Sequence, residues 1–218
     1  KIKKIMKNVY TKFFWFSPSW SGKSCFVEKL LDTPGIWEPH YPDKIIYCFG
    51  IETENVKNIA RKFPQVSLME GLPRNLASPL EIFSPKQRNL LICDDLSSES
   101  QNSKDFTDFM TNGSHHTNTC LMSLEHFLFA QAKERQRQTH HWHQIVLFRS
   151  PRSVHQVRTL ATQAAIASPK LVEFAYRDAT GNRPYSYQII DFRNDTIPEM
   201  RLLTNVLQEI NEPVFIYL

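Results

Sequence analysis

Short apolar runs separated by polar, helix-compatible stretches set the pattern of this chain. The runs are Phe13-Phe14-Trp15-Phe16, Ile45-Ile46-Tyr47-Cys48-Phe49, Leu90-Leu91-Ile92-Cys93, Cys120-Leu121-Met122 and Ile145-Val146-Leu147-Phe148. Continuous apolar runs, rather than alternating ones, mark strands covered on both faces. Lys23 to Leu31 and Glu54 to Lys62, lying between them, suit helices. That alternation predicts an α/β domain with a mainly parallel sheet. The tail breaks the rhythm. A helix is expected over Ser153 to Ala165 and a shorter one near Leu171 to Tyr176, then β character at Tyr185 to Phe192 with a partner at Arg201 to Val206. The last two would add a small antiparallel edge to the sheet. Ser97 to Lys104 is polar and reads as a surface loop. Gly22, Gly50, Gly71 and Gly113 fall at the ends of apolar runs or in turn-like clusters. The expected organisation is a basic N-terminal extension, residues 1–11, and one domain, 12–218, with its core at 12–166 and a C-terminal addition at 167–218.

Composition bounds the class. Of 218 residues, 41% are hydrophobic and 22% charged, a balance that supports a real core and excludes disorder for the body of the chain. No apolar run approaches the ~20 residues of a bilayer span, so no membrane segment is expected. Lys and Arg number 26 against 22 Asp and Glu, a net +4 that permits phosphate-rich partners without requiring them. Cys25, Cys48, Cys93 and Cys120 form no CxxC pair, and the basic opening Lys1 to Lys7 leads into no secretory apolar stretch. A reducing intracellular compartment is the expectation, not secretion. With no initiator Met, the chain is expected to be trimmed or a fragment.

The chemistry concentrates at Ser17-Pro18-Ser19-Trp20-Ser21-Gly22-Lys23-Ser24, which follows the first strand and opens the helix through Cys25. A strand–loop–helix unit of this kind wraps phosphates in backbone N–H groups at the positive end of a helix. Lys23 would reach the β and γ phosphates, and the Ser24 hydroxyl would bind Mg²⁺. The pattern GxxxxGK(S/T) begins with Gly, and Ser17 stands in that place.

Asn89 to Leu96 supplies the complement, an apolar strand ending in Asp94-Asp95. Asp94 would hold Mg²⁺ through its water shell. Asp95 would orient or deprotonate the attacking water. Neither an NKxD motif nor a DxxG after the second strand is present, so ATP is favoured over GTP. A further strand, near Ile45 to Gly50 or Val66 to Gly71, is expected between the phosphate loop and Asp94, as in ATPases with a second acidic residue.

The strings Gly113-Ser114-His115-His116, Leu147-Phe148-Arg149-Ser150-Pro151-Arg152, Asp178-Ala179-Thr180 and Pro184-Tyr185-Ser186-Tyr187 join these motifs. Together they resemble the DNA-packaging ATPases of Polinton-like and adinto-type viruses, relatives of the poxvirus-type packaging ATPase in the FtsK–HerA superfamily. The resemblance runs from about Phe13 to Val206. It implies a three-layer RecA-like P-loop ATPase that assembles into a ring and drives double-stranded DNA into a capsid built of viral proteins, at an assembly site in the host nucleus or cytoplasm. It also implies an arginine supplied in trans, for which Arg135, Arg137 and Arg149 are candidates. Where the family has a polar γ-phosphate sensor, this chain reads Ser123-Leu124-Glu125-His126-Phe127. His126 could bind a phosphate or water, while Glu125 beside it is electrostatically unfavourable. Ser17 and Glu125 leave a weakened or decayed ATPase as one alternative, and a small-molecule P-loop kinase is another.

The eight histidines include His115-His116 and His140-His141-Trp142-His143. His140 and His143 could form a local zinc pair joined by His115 or His116, but solvent-facing or backbone-bonded histidines are the simpler reading. The resemblance also allows His115 and His116 to contact nucleotide or a neighbouring subunit. Lys133 to Arg137 and Arg149 to Arg158 are basic stretches that either touch DNA phosphates or form solvated helix faces.

Overall fold

The computed structural model describes residues 11–16, 22–37, 40–126, 128–129, 133–164, 167–181, 183–207 and 213–218. Of the expected basic extension, only Thr11 is among them. The chain runs β1 (Lys12–Phe16), α1 (Lys23–Leu31), β2 (Lys44–Phe49), α2 (Glu54–Lys62), β3 (Val66–Glu70) and β4 (Asn89–Asp94). Short helices α3 (Ser97–Ser100), α4 (Lys104–Asp108) and α5 (Ser114–His116) follow, the last two joined by a wide helical turn at Phe109–Gly113. Then come β5 (Thr119–Glu125), α6 (Lys133–Thr139), β6 (Gln144–Phe148), α7 (Val154–Ala164) and α8 (Pro169–Gly181). β7 (Tyr187–Asp191), β8 (Leu202–Thr204) and β9 (Phe215–Ile216) close the chain.

These strands form one nine-stranded sheet in the order β3-β2-β4-β5-β1-β6-β7-β8-β9. Pairing is parallel from β3 through β6 and antiparallel from β6 through β9. The period of two along each strand divides the apolar side chains into two cores. Phe13, Trp15, Ile45, Tyr47, Leu90, Ile92 and Met122 face α1 and α2 with Phe26, Val27, Val56 and Ile59. Phe14, Phe16, Ile46, Leu91, Leu121 and Leu147 face the other layer, with Phe106, Val157, Leu160, Val172 and Tyr176. Helices on both faces of a parallel sheet make the three layers.

The tail belongs to both cores. Ile189, Leu203 and Leu207 join the first, and Ile190 and Leu202 the second. Tyr187 lies edge-on to Phe26 at 4.5 Å between centroids, and its hydroxyl accepts the Leu207 amide at 2.8 Å.

Four sequence expectations change. Ser97 to Lys104 is not a plain loop: α3 and the start of α4 form there because Leu96 and Ser100 are buried. The second tail helix is α8, 13 residues long, because Val172, Ala175, Tyr176 and Ala179 recur at helical spacing and are buried. Gly113, expected at the end of an apolar run or in a turn-like cluster where freedom in φ is useful, sits in a helical turn at φ −58° and uses none of that freedom. Finally, Ile45 to Gly50 and Val66 to Gly71 do supply strands before Asp94 in sequence, but both lie outside β4 in the sheet. The strand between β1 and β4 is β5, which is fully buried and pairs with both.

At the edge where the parallel strands begin, Lys12 is buried with 2% exposure. Its Nζ lies 3.2 Å from His115 Nε2, and its backbone amide donates to His143 Nδ1 at 3.3 Å. Burial lowers the Lys12 pKa to about 8 and, with help from the Lys12 charge, that of His143 to about 4. The folded lysine is therefore more acidic than the unfolded one. Its burial penalty is complete below about pH 8 and disappears as pH rises toward the ordinary lysine value. At neutral pH this charge opposes folding by about 3 kcal/mol, and the hydrogen bond to His115 returns about 1 kcal/mol. Lys12→Met is expected to raise stability by about 2 kcal/mol at pH 7, a gain that shrinks by pH 10. Chemical denaturation at both pH values checks this, and unchanged or lower stability at pH 7 would show that the charge is compensated.

Candidate nucleotide-binding site

β1 delivers the chain to the edge where the parallel strands end, and α1 starts there at Lys23. The intervening Ser17, Pro18, Ser19, Trp20 and Ser21 lie outside the described residues. Gly22 takes φ 103°, and a Cβ on it would come within 2.6 Å of the Tyr185 ring, so both backbone and space require glycine. No side chain caps the start of α1 and its first turn carries no acid. The start of α1 therefore turns the positive end of a helix, with no acid of its own first turn, toward an anion. Ser24 is half-buried and Cys25 exposed.

The register of the sheet brings the acids to this point. Leu124 of β5 pairs with Trp15 on one side and Asp94 on the other, so Asp94 stands level with the end of β1, two strands away. Asp94 points to the α1 face, the face of Tyr47, whose hydroxyl donates to Asp94 Oδ2 at 2.7 Å. Burial, reinforced by the charge of Asp95, raises the Asp94 pKa; the Tyr47 hydrogen bond and the charges of Lys23 and His126 oppose this. Asp95 then turns out of the strand at φ 55°, a conformation Asp tolerates better than most residues. Gly50 makes the turn possible, because a Cβ there would lie 2.7 Å from the Asp95 carbonyl oxygen.

Lys23, Asp95 and His126 converge. Lys23 Nζ lies 3.1 Å from His126 Nδ1 and 3.9 Å from Asp95 Oδ1, and His126 Nε2 contacts Asp95 Oδ1 directly. Lys23 Nζ also lies 3.4 Å from His126 Nε2, so the ammonium is within reach of both ring nitrogens. Lys23 is buried to 8% exposure. Desolvation lowers its pKa, and Asp95, Asp94 and Glu125 pull it back up.

Glu125 and His126 are adjacent in sequence but part at the end of β5. Glu125 shares the face of Leu121 and Ser123, the one covered by α3. Its carboxylate accepts from Ser123 Oγ at 2.7 Å, Ser100 Oγ at 3.3 Å and Ser97 Oγ. Its charge still reaches Lys23, but its hydrogen bonds go to serines, and the expected clash with His126 is relieved by alternation along the strand. The serines, Tyr47 and Tyr185 were not singled out as site residues by the sequence motifs. They lie on other elements, and no spacing rule connects them to the phosphate loop.

The arginines are less committed. The side chain of Arg135 lies outside the described residues. Arg137 hydrogen-bonds Glu134 at 2.8 Å and lies 3.7 Å from Asp108, exposed pairs of its own chain. Arg149 is exposed just beyond β6, as is Arg152. Farther along that basic stretch, Arg158 and Arg177 both hold Glu173, which clasps α7 to α8. His115 and His116 sit before β5, at the edge opposite the phosphate loop, so neither contacts nucleotide in its own chain. Among the described residues, no cluster of three or more His, Cys, Asp or Glu forms a metal site, and no helix is long and apolar enough to cross a membrane.

No family model matches the chain, and no curated protein matches it. Among solved structures, it resembles the genome packaging NTPase B204 from Sulfolobus turreted icosahedral virus 2, described in complex with ATP-gammaS. The alignment covers 96% of this chain and 98% of that one, with a TM-score of 0.55 and 15% identity. The cytoplasmic domain of the Thermomonospora curvata type VII secretion ATPase EccC aligns over 99% of this chain and 26% of its own, at TM-score 0.53 and 11% identity. At such identities the likeness is one of fold: three α/β layers of the P-loop NTPase kind.

Proposed function

We propose that the chain is a Mg²⁺-dependent ATPase whose site lies between the start of α1 and the ends of β4 and β5. The observation that carries this is the meeting of the α1 start and its Lys23 with Asp94, Asp95 and His126, on three separate elements. The first-turn amides and Lys23 hold the phosphates. Ser24 and Asp94 offer hard oxygens, and the burial that raises the Asp94 pKa favours a cation beside it, so the donor set fits Mg²⁺. Bound there, the ion would neutralise charge on the phosphates. Asp95 orients the attacking water and takes its proton, while His126 faces the γ-phosphate. To bind, the terminal phosphate takes over the Lys23 ammonium from His126 and Asp95.

The finer reading is a motor that packages double-stranded DNA into viral capsids as a homo-oligomeric ring, with Arg135, Arg137 or Arg149 acting in trans. Fold likeness to a genome packaging NTPase over nearly the full length of both chains supports it. Exposed Arg149 and Arg152 on a chain of net charge +4 suit DNA phosphates. ATP hydrolysis with and without double-stranded DNA, over a range of salt, is the test. Turnover is expected to require Mg²⁺, to rise with DNA and to lose that rise as salt increases. Turnover indifferent to DNA removes the motor, and no turnover removes the enzyme.

A further inference from the structure

Tyr185 combines three features that packing alone does not explain. It is 60% exposed. Its backbone takes φ 62°, a conformation an aromatic residue seldom adopts and one that concentrates at functional positions. Its side chain nevertheless rests against Gly22, just before α1: Cδ1, Cβ and Cγ lie 2.6, 2.9 and 3.0 Å from where a Gly22 Cβ would be. A seldom-adopted backbone conformation thus holds a largely exposed aromatic side chain against Gly22 at the start of α1.

Sheet order says which end of a ligand would meet it. β1 has β5 and then β4 on one side, and β6 and then β7 on the other. Asp94, Asp95 and His126 stand on the β5–β4 side, so the terminal phosphate lies there. In the proposed ATP site the phosphates would run across the start of α1, with the nucleoside end directed toward β6 and β7. Tyr187 pairs with Phe148, so Tyr185, two residues earlier on β7's approach, stands above the end of β6 on that side.

We infer that Tyr185 is the platform on which the base of a purine nucleoside triphosphate stacks. Base–aromatic stacking tolerates any base but is strongest for large ones, so the residue supplies affinity for the nucleoside where Lys23 supplies it for phosphate. The inference rests on the proposed ATP site and is separable from it by experiment.

The test is calorimetric titration of wild type, Tyr185→Ala and Tyr185→Phe with ATP and with inorganic tripolyphosphate, each in Mg²⁺. Circular dichroism melts establish that the variants are folded. Tyr185→Ala is expected to weaken ATP about tenfold or more while tripolyphosphate binds as in wild type, and Tyr185→Phe is expected to bind both normally. Equal weakening of ATP and tripolyphosphate by Tyr185→Ala would show that the ring merely props the loop, and overturns the inference. So does unchanged ATP binding by Tyr185→Ala, or loss of ATP binding in Tyr185→Phe, which would assign the role to the hydroxyl. Wild type that binds neither ligand overturns the ATP site itself, a result distinct from all of these.

Discussion

Lys23→Ala is expected to lower ATP turnover by at least about 10²–10³-fold, because it removes a full charge from the developing phosphate anion. The reason is placement. Lys23 is nearly buried at the start of α1, where desolvation lowers its pKa and the charges of Asp95, Asp94 and Glu125 oppose that fall. A bound triphosphate would strengthen that support. Losing the side chain should not unfold the protein, since Asp95 and His126 keep their mutual contact and the core residues Phe26, Val27 and Leu30 are untouched. A steady-state ATPase assay beside a thermal melt checks both halves. Undiminished turnover in a folded Lys23→Ala protein would place the chemistry elsewhere.

Asp95→Asn is expected to separate binding from hydrolysis. Asparagine accepts the left-handed backbone that φ 55° demands, so the turn past Gly50 should survive where a bulkier residue would strain it. The amide cannot take a proton from water, and turnover should fall about 10²–10⁴-fold. ATP should bind as well as to wild type or better, because a negative charge facing the terminal phosphate is gone. Calorimetric ATP binding and single-turnover hydrolysis give the two numbers. Loss of binding together with turnover would make Asp95 a structural support for Lys23 and His126 rather than the residue that acts on water.

The apolar runs of the chain were readable as strands because burial on both faces leaves no polar alternation, and β1, β2, β4, β5 and β6 each contain one of them. α1 and α2 were readable for a similarly local reason: apolar residues at helical spacing, with Thr53 capping α2 through the Val56 amide. The tail helix α8 runs past the expected Leu171 to Tyr176 because Ala179 and Thr180 carry the same buried stripe one turn further, while Arg177 and Asp178 fall on another face. In the site, the Gly22-Lys23-Ser24 and Asp94-Asp95 strings were visible as motifs. His126 was readable beside them as a site residue, but Tyr47 and Tyr185 were not. Tyr47 is an ordinary core residue of β2 until β4 is laid beside it, and Tyr185 is one tyrosine of a turn until β7 folds back antiparallel to β6.

By itself, then, the sequence determined the kinds of element, their order and the local chemistry at the start of α1 and the end of β4. These depend on neighbours within a few residues, through burial pattern, capping and helix polarity. Tertiary structure alone decided that β5 lies between β1 and β4, that Glu125 turns to the serines while His126 turns to Lys23, and that Tyr185 stands over Gly22. Strand order and face are set by long-range pairing and by which surfaces can be buried together. A residue's partners across a sheet are therefore fixed by packing of the whole layer and not by its own place in the chain.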